Sequence, residues 1–405
     1  MTPDDAPASP PRDEDPAAAP KAEAEPKVVP VLGPRPRVAA IDVLRGLVMV
    51  IMSIDHASEM FNSGRLFTDS IRWYEPGQEL PAAQFFTRWI THLCAPTFVA
   101  LAGTSLAIST ESRRLRGKSE KAIDLHILSR GFAILLFEVV WMSPVMLRPG
   151  RFLFQVLYAI GGSLVCMVVL RRLGDRTLLV VGLLLAFCSE MIVGFFAGVG
   201  ELDSLGVGLF AAGGFFFDRR LIVAYPIVPW LSMMCIGWAF GRHIVVWRAA
   251  GKDETRLATR ALAIAGAVSL VLFALVRGKN AFGNMRLHRE DGSLVQWLHV
   301  SKYPPSFTYV TLELGIAALL LAAFLWIGPR RVLEPLRLLG QTALFYYLLH
   351  IHVLKLVAVV TGTEGKLGIV SAYVGGLAIA AALYLPCRWY RGYKSAHADG
   401  WTRFV

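Results

Sequence analysis

The chain has 405 residues, 55% of them hydrophobic and only 18% charged, with a formal net charge of +11. Soluble domains carry about 25% charged residues, whereas here apolar runs of about 20 residues, the length that crosses a bilayer, recur along the chain. A water-soluble globular protein and a soluble enzyme on a single anchor are both excluded.

Residues 1–37 are a different material, with ten of the 22 prolines and an Ala, Asp and Glu filling. Nothing in this stretch can build a core, which predicts a disordered tail. It also lacks the apolar centre of a secretory signal peptide. Residues 38–390 read as a transmembrane domain and 391–405 as a second short tail. Ten spans are predicted, at 38–61, 82–109, 122–142, 152–170, 177–198, 226–247, 257–276, 306–328, 338–360 and 367–388. The fold class is therefore all-α, a polytopic integral membrane protein with about ten helices around a polar cavity.

Pro96 and Pro229 fall inside spans, where each removes a backbone hydrogen bond and predicts a kink. Gly103, Gly237 and Gly241 are expected to let helices approach closely, Gly237 and Gly241 by their small-xxx-small spacing. Cys94, Cys166, Cys188, Cys235 and Cys387 are scattered through apolar runs. That pattern predicts free thiols acting as apolar filler, not a zinc site or a disulfide framework.

The basic residues set an orientation. The loops on the side of both termini carry 21 Lys and Arg against 12 on the opposite side. By the positive-inside rule both termini are cytoplasmic, with the loops at 62–81, 199–225 and 277–305 outside. Topology thus accounts for the positive charge. No nucleic-acid partner is expected, since no recognition helix, zinc finger or aromatic-basic platform accompanies it.

Ionisable side chains at membrane depth are costly and are read first as functional. The first span carries Asp42 and Arg45 near its start, and Asp55 and His56 near its end. His56 lies about 27 Å along the helix at 1.5 Å per residue. His92 lies within the second span, His350 and His352 in the outer half of the ninth, and Glu138, Glu190 and Glu313 in outer halves. Arg45, Arg130 and Arg242 lie in inner halves. Imidazoles and carboxylates gather outside, arginines inside. A phosphate-bearing donor suits the arginines, and a histidine suits a general base for an acceptor from the other face. The alternatives are structural. Asp42 and Arg45 are spaced to pair on one helix face, Asp55 and His56 diverge by about 100° as helix neighbours, and a buried histidine is often held by a carbonyl. His350 and His352, two apart, make a poor metal site, and no metal or permanently bound cofactor is expected.

Five stretches together carry a resemblance: RVAAIDVLRGLVMVIMSIDH (37–56), THLCAPTFVALAGTS (91–105), YPIVPW (225–230), KYPPS (302–306) and LGQTALFYYLLHIH (339–352). In this order they resemble the heparan-α-glucosaminide N-acetyltransferase catalytic-domain family, in its bacterial branch, over about residues 37–390. The resemblance implies a multi-span membrane acyltransferase. Its animal member moves acetyl from cytosolic acetyl-CoA to a terminal glucosamine across the membrane. That enzyme's essential histidine sits in its first lumenal loop, but the loop at 62–81 here has none. Where this chain has His56 and His92, the animal enzyme looks to have asparagine and aspartate.

The expected activity is transfer of an acyl group, acetyl first, from cytoplasmic acyl-CoA as co-substrate to an amino or hydroxyl group of an envelope sugar or glycan. The basic loop at 277–305 points the same way, toward an anionic or glycan acceptor. His56 is the expected base and Asp55 its electrostatic tuner, with His92 and His350 as further candidates. Arg45, Arg130 and Arg242 are the expected donor path. The site of action is the bacterial cytoplasmic membrane, as monomer or homo-oligomer. The rival readings are a transporter or flippase, given broken helices and charges at depth, and a non-catalytic membrane partner.

Overall fold

The computed structural model describes residues 38–147 and 149–397. The tail expected at 1–37 and positions 398–405 of the second tail lie outside the described residues. α1 (Ala39–Phe61) is followed by a long loop, then by α2 (Ala82–Trp89) and α3 (Cys94–Arg114), joined by a 3-10 turn at Ile90–Leu93. α4 (Glu120–Phe137) passes through a π-helical turn, Glu138–Met142, into the short α5 (Ser143–Met146). α6 (Val156–Leu170), α7 (Asp175–Gly198), the one-turn α8 (Leu205–Val207), α9 (Ile227–Ala249) and α10 (Glu254–Lys279) come next. The remainder holds α11 (Leu294–Leu298), α12 (Phe307–Ile327), α13 (Glu334–Gln341), α14 (Ala343–Thr361), α15 (Val370–Ala382) and α16 (Tyr384–Ala396).

A small sheet, absent from the sequence reading, joins β1 (Phe152–Phe154), β2 (Gly214–Phe216) and β3 (Leu221–Val223). β3 is central, parallel to β1 and antiparallel to β2. It pairs backbone from the start of the predicted span at 152–170 with the predicted outer loop at 199–225, and delivers the chain into Tyr225 and α9.

The protein is an all-α membrane protein, but apolar length supports six crossings, not ten. The six stretches are Ala82–Arg114, Asp175–Gly198, Glu254–Lys279, Phe307–Ile327, Ala343–Thr361 and Val370–Ala396. The other four predicted spans are helical and fall short for physical reasons. α1 carries Asp42, Arg45, Asp55 and Glu59, and α4 carries Glu120, Lys121, Asp124 and Arg130. α6 is only 15 residues long, and α9 is diluted by Arg242, His243 and Arg248. Burial explains why α1 and α9 tolerate this. Of the 23 residues in each, 16 are buried in α1 and 14 in α9. Both sit among other helices and have little lipid to satisfy. In α7 and α10, by contrast, only 22% of the most apolar window is buried. Their exposed Leu183, Phe187, Phe195, Ile264, Val268 and Val271 form an apolar surface too extensive for water.

The central helices touch through glycine. A Cβ on Gly103 would lie 2.1 Å from the carbonyl oxygen of Met234, one on Gly237 1.9 Å from that of Ala100, and one on Gly241 2.6 Å from that of Thr104. α3 and α9 therefore pack backbone to backbone, and the Thr104 hydroxyl donates to the Gly237 carbonyl at 2.9 Å. Gly46 and Gly340 do the same for α1 and α13, where a Cβ on either would fall 1.8 Å from a carbonyl oxygen of the other helix.

The two prolines behave differently. Pro96 has no amide for the His92 carbonyl, and the second span breaks there into the 3-10 turn. The freed carbonyl accepts the hydroxyl of Tyr309 at 3.0 Å. The kink expected at Pro229 does not form. Pro229 lies in the first turn of α9, where amides have no intrahelical partner.

Gly237→Ala is expected to force α3 and α9 apart and destabilise the fold by about 1–3 kcal/mol, the usual range for overpacking. Gly194→Ala on α7, with nothing within 4 Å of the new methyl, is expected to be neutral. Thermal unfolding of the two variants in detergent checks the contrast.

Candidate active site

Four segments meet at the far end of α1 around Arg88. Its Nη1 donates to both carboxylate oxygens of Asp55, at 2.8 and 2.9 Å. Its Nε donates to Asp69 Oδ2 at 2.7 Å, and its Nη2 to the hydroxyl of Tyr303 at 3.2 Å. Arg65 Nη1 donates to Asp55 Oδ1 at 2.8 Å and to the Asp55 carbonyl at 2.6 Å. All of these groups are largely buried. Burial alone would raise the Asp69 carboxyl, but Arg88 and then His92 outweigh it and hold it well below the usual carboxylate range. Asp55 is therefore committed to two arginines and makes no contact with the His56 ring, as the divergence of helix neighbours requires.

His56 pairs instead across the bundle. Its Nδ1 lies 2.6 Å from His350 Nε2. His350 Nδ1 lies 3.1 and 2.8 Å from the carbonyls of Tyr346 and Tyr347. A carbonyl only accepts, so His350 Nδ1 carries the proton and its Nε2 accepts from His56 Nδ1. His56 Nε2 is then left with a lone pair, and it has no hydrogen-bond partner among the described residues. One turn earlier, the Ser53 hydroxyl donates to the Met49 carbonyl at 2.9 Å and accepts from Tyr346 at 2.5 Å. The Tyr346 ring stacks on His350. His350 is fully buried, and His56 keeps 8% exposure.

His92 occupies the second side of the cluster. Its Nε2 lies 3.2 Å from Asp69 Oδ1, within ion-pair distance but not aligned as a hydrogen bond. Its ring meets the edge of Tyr309, which also borders Trp230. Tyr225 stacks on Trp230 and touches Tyr303. Lys302 is buried beside them, with its ammonium 5.3 Å from the Tyr303 ring centroid. The five sequence stretches that carry the resemblance thus converge on one centre. Their side chains form a polar and aromatic network there.

The carboxylates at depth divide. Glu190 Oε2 accepts from the amides of Gly283 and Met285 at 2.6 and 3.0 Å and caps a loop. Glu138, in the π-helical turn, accepts from the Gln155 amide at 2.6 Å through Oε1, while its Oε2 is buried with no hydrogen-bond partner among the described residues. The same holds of Glu313 Oε1 among the described residues. His352 packs on Trp141, away from His350.

The three expected donor arginines are only partly brought together. Arg45 pairs with Asp42 at 3.2 Å, as the spacing predicts, and donates to Ser105 Oγ at 2.9 Å. Arg130, on the exposed face of α4, has no ion-pair partner among the described residues, and its electrostatic neighbours are the cations Arg45 and Arg113. Arg242 is held by Glu111 at 3.0 Å.

Arg65, Asp69, Arg88 and Lys302 belong to this cluster and are not among the candidates drawn from the sequence. Arg88 was detectable, being an ionisable residue inside a predicted span. Its place beside the histidines also breaks the expected segregation of arginines from imidazoles. Asp69 and Arg65 sit in a polar loop, where nothing in one sequence separates them from solvated charges. In the basic loop at 277–305, Arg277 serves the loop itself. Arg277 is fully buried and donates to the carbonyls of Leu287, Gln296, Trp297 and His299 and to Asn284, at 2.6 to 3.2 Å. It organises the loop from within. The five cysteines are free.

A family model described as heparan-alpha-glucosaminide N-acetyltransferase, catalytic, matches residues 37–277. The match takes in Asp55, His56, Arg88 and His92, and ends before Lys302 and His350. No curated protein matches the chain.

Arg88→Leu leaves two buried carboxylates short of a partner and is expected to cost about 3–5 kcal/mol, read by thermal unfolding. A second expectation concerns pH. His299 Nε2 donates to the Thr68 carbonyl at 2.8 Å; burial lowers its basicity, only partly offset by that carbonyl. The imidazole is thus neutral when packed and takes a proton near pH 6.5 once released. Its contribution to loop stability is full above that pH and declines as pH falls toward the lower packed value. The protection of the 277–305 amides, taken relative to the intrinsic exchange rate at each pH, should fall below about pH 6.5, and His299→Asn should flatten that dependence.

Proposed function

The chain belongs to the heparan-α-glucosaminide N-acetyltransferase catalytic family and is in general terms a membrane acyltransferase, and from that premise we propose that it carries an acyl group, acetyl first, from cytoplasmic acyl-CoA to an amino or hydroxyl group of a sugar on the other face. The observation that carries this reading is the His56–His350 contact of 2.6 Å, with His350 anchored on backbone carbonyls. It holds His56 in one tautomer with Nε2 as the basic nitrogen. In the proposed step His56 Nε2 takes the acceptor's proton as nitrogen or oxygen attacks the acyl carbonyl. The same proton then passes to the departing thiolate of CoA. A positioned base of this kind is worth about 10²–10⁴ in rate.

His350 is proposed as the residue that orients His56, and Asp55 as the residue that fixes the end of α1 and sets the local field through its arginines. His92 is assigned to the acceptor side, next to Asp69. Arg130 and Arg45 form the donor end with Arg113. Arg242 is given a smaller part, since Glu111 already offsets its charge. Arg45 and His56 are separated by about 16 Å along α1. Such a gap suits a donor whose phosphates and thioester are joined by a long arm. The acceptor remains a sugar or glycan class.

Ten crossings and cytoplasmic termini in a bacterial inner membrane belong to the same proposal. Ser53 meets Tyr346 and His56 meets His350, so numbering rises together along α1 and α14 and the two helices run parallel. The first and ninth of ten spans must do so.

Acetyl-CoA binding and acetyl transfer by purified protein test the reading. His56→Ala is expected to keep donor binding and lose transfer by about 10²–10⁴. His350→Ala is expected to lower turnover with little change in the donor's Kd, and Arg130→Ala to weaken donor binding. Full transfer by His56→Ala would overturn the assignment. No acetyl-CoA binding by well-folded wild type would favour the transporter reading.

A further inference from the structure

Lys302 is the buried cation that the reaction above does not use. It is 3% exposed, and its surroundings are fixed before any substrate arrives. Its own amide donates to the Asp69 carbonyl at 2.8 Å. The Ser70 hydroxyl donates to the Tyr303 carbonyl at 2.6 Å, and Ser306 caps α12 by accepting from the Tyr309 amide at 3.0 Å. The main chain on both sides of Lys302 is therefore stapled to the 62–81 loop and to a helix start.

No carboxylate, carbonyl or hydroxyl hydrogen-bonds to the ammonium among the described residues, and it lies 5.3 Å from the centroid of the Tyr303 ring. Asp55, His56, Asp69, His92 and Glu313 all have Lys302 as an electrostatic neighbour. Yet the aspartates are engaged elsewhere, Asp55 by Arg65 and Arg88, and Asp69 by Arg88. Glu313 forms no ion pair with it. Glu59 is a further carboxylate beside these cations, but it lies 3.9 Å from Arg65 and forms no ion pair with Lys302 among the described residues. A largely buried lysine without an ion-pair partner is costly, and a single aromatic face offsets only part of that cost. A preorganised, unspent cation in a water-poor centre suits a negative charge that appears only during reaction.

We propose that Lys302 is the oxyanion-stabilising residue of this centre. The proposal rests on the acyltransferase reading. As the acceptor's nitrogen or oxygen bonds to the acyl carbon, the carbonyl π electrons move to its oxygen, and the Lys302 ammonium takes that charge. The acceptor's proton goes to His56 Nε2. Collapse of the adduct re-forms the carbonyl, breaks the carbon–sulfur bond, and the sulfur leaves with the proton from His56. Arg65 and Arg88 are less suited to this part, since their guanidinium groups already serve carboxylates.

The test compares Lys302→Met and Lys302→Arg with wild type, using acetyl-CoA with glucosamine as acceptor. Turnover, acetyl-CoA Kd and thermal midpoint are measured on each. Lys302→Met should lose about 10²–10³ in turnover, the size of one oxyanion donor, with an unchanged donor Kd. Its thermal midpoint should be no lower than wild type, because an unpaired buried charge has been removed. Lys302→Arg should recover part of the loss. Wild-type turnover in Lys302→Met would overturn the proposal. So would a loss accompanied by a lower midpoint and weaker donor binding, which marks a scaffold residue. Absence of transfer in well-folded wild type would instead bring down the acyltransferase reading on which the proposal stands.

Discussion

Asp55 on α1 and Asp69 in the following loop are both buried and would repel each other in a low-dielectric interior. The Arg88 guanidinium lies between them, donating to both carboxylates and to Tyr303. One planar cation thereby ties α1, the 62–81 loop, α2 and the 302–306 segment into a single unit. A lysine could not do this, because the geometry uses three donors of a rigid fork at once. The arrangement also decides what His56 is. With Asp55 fully engaged by arginines, His56 has no carboxylate to hold its proton. It turns to His350, whose orientation is dictated by backbone carbonyls.

Interruptions of regular helix put the polar groups where they are. Pro96 breaks the second span one turn after Arg88, and the unpaired carbonyl of His92 draws in the Tyr309 hydroxyl. That bond brings α12 against the turn carrying His92. The π-helical turn after α4 does similar work for Glu138, and such turns are frequent at functional sites. Glycine contacts between α3 and α9 and between α1 and α13 let these broken elements pack tightly enough to bury the charges. The lipid-facing α7 and α10 need none of this.

Much of the fold was legible in the sequence, since apolar length and composition are what a bilayer selects. All ten predicted spans correspond to helices, but the same criterion marks only six as crossing on apolar length. The shortfall lies in α1, α4, α6 and α9: α4 is too charged and α6 too short, while α1 and α9 have protein as their neighbours. Depth of ionisable groups singled out His56, His92 and His350, which lie in the same part of the structure. It could not show that His56 faces His350 and not Asp55, because that pairing joins residues 294 positions apart. Asp69 and Lys302 were illegible for the same reason, being loop charges made special only by what packs over them. The Arg45–Asp42 pair was readable because it is local.

The most direct test of the account uses proteoliposomes with acetyl-CoA on one face and glucosamine on the other, comparing wild type with His56→Gln. The account predicts acetylated sugar on the glucosamine side for wild type, release of an equal amount of CoA on the donor side, and neither for His56→Gln. Equal product from both proteins, or glucosamine crossing the bilayer unmodified without consumption of acetyl-CoA, would contradict it.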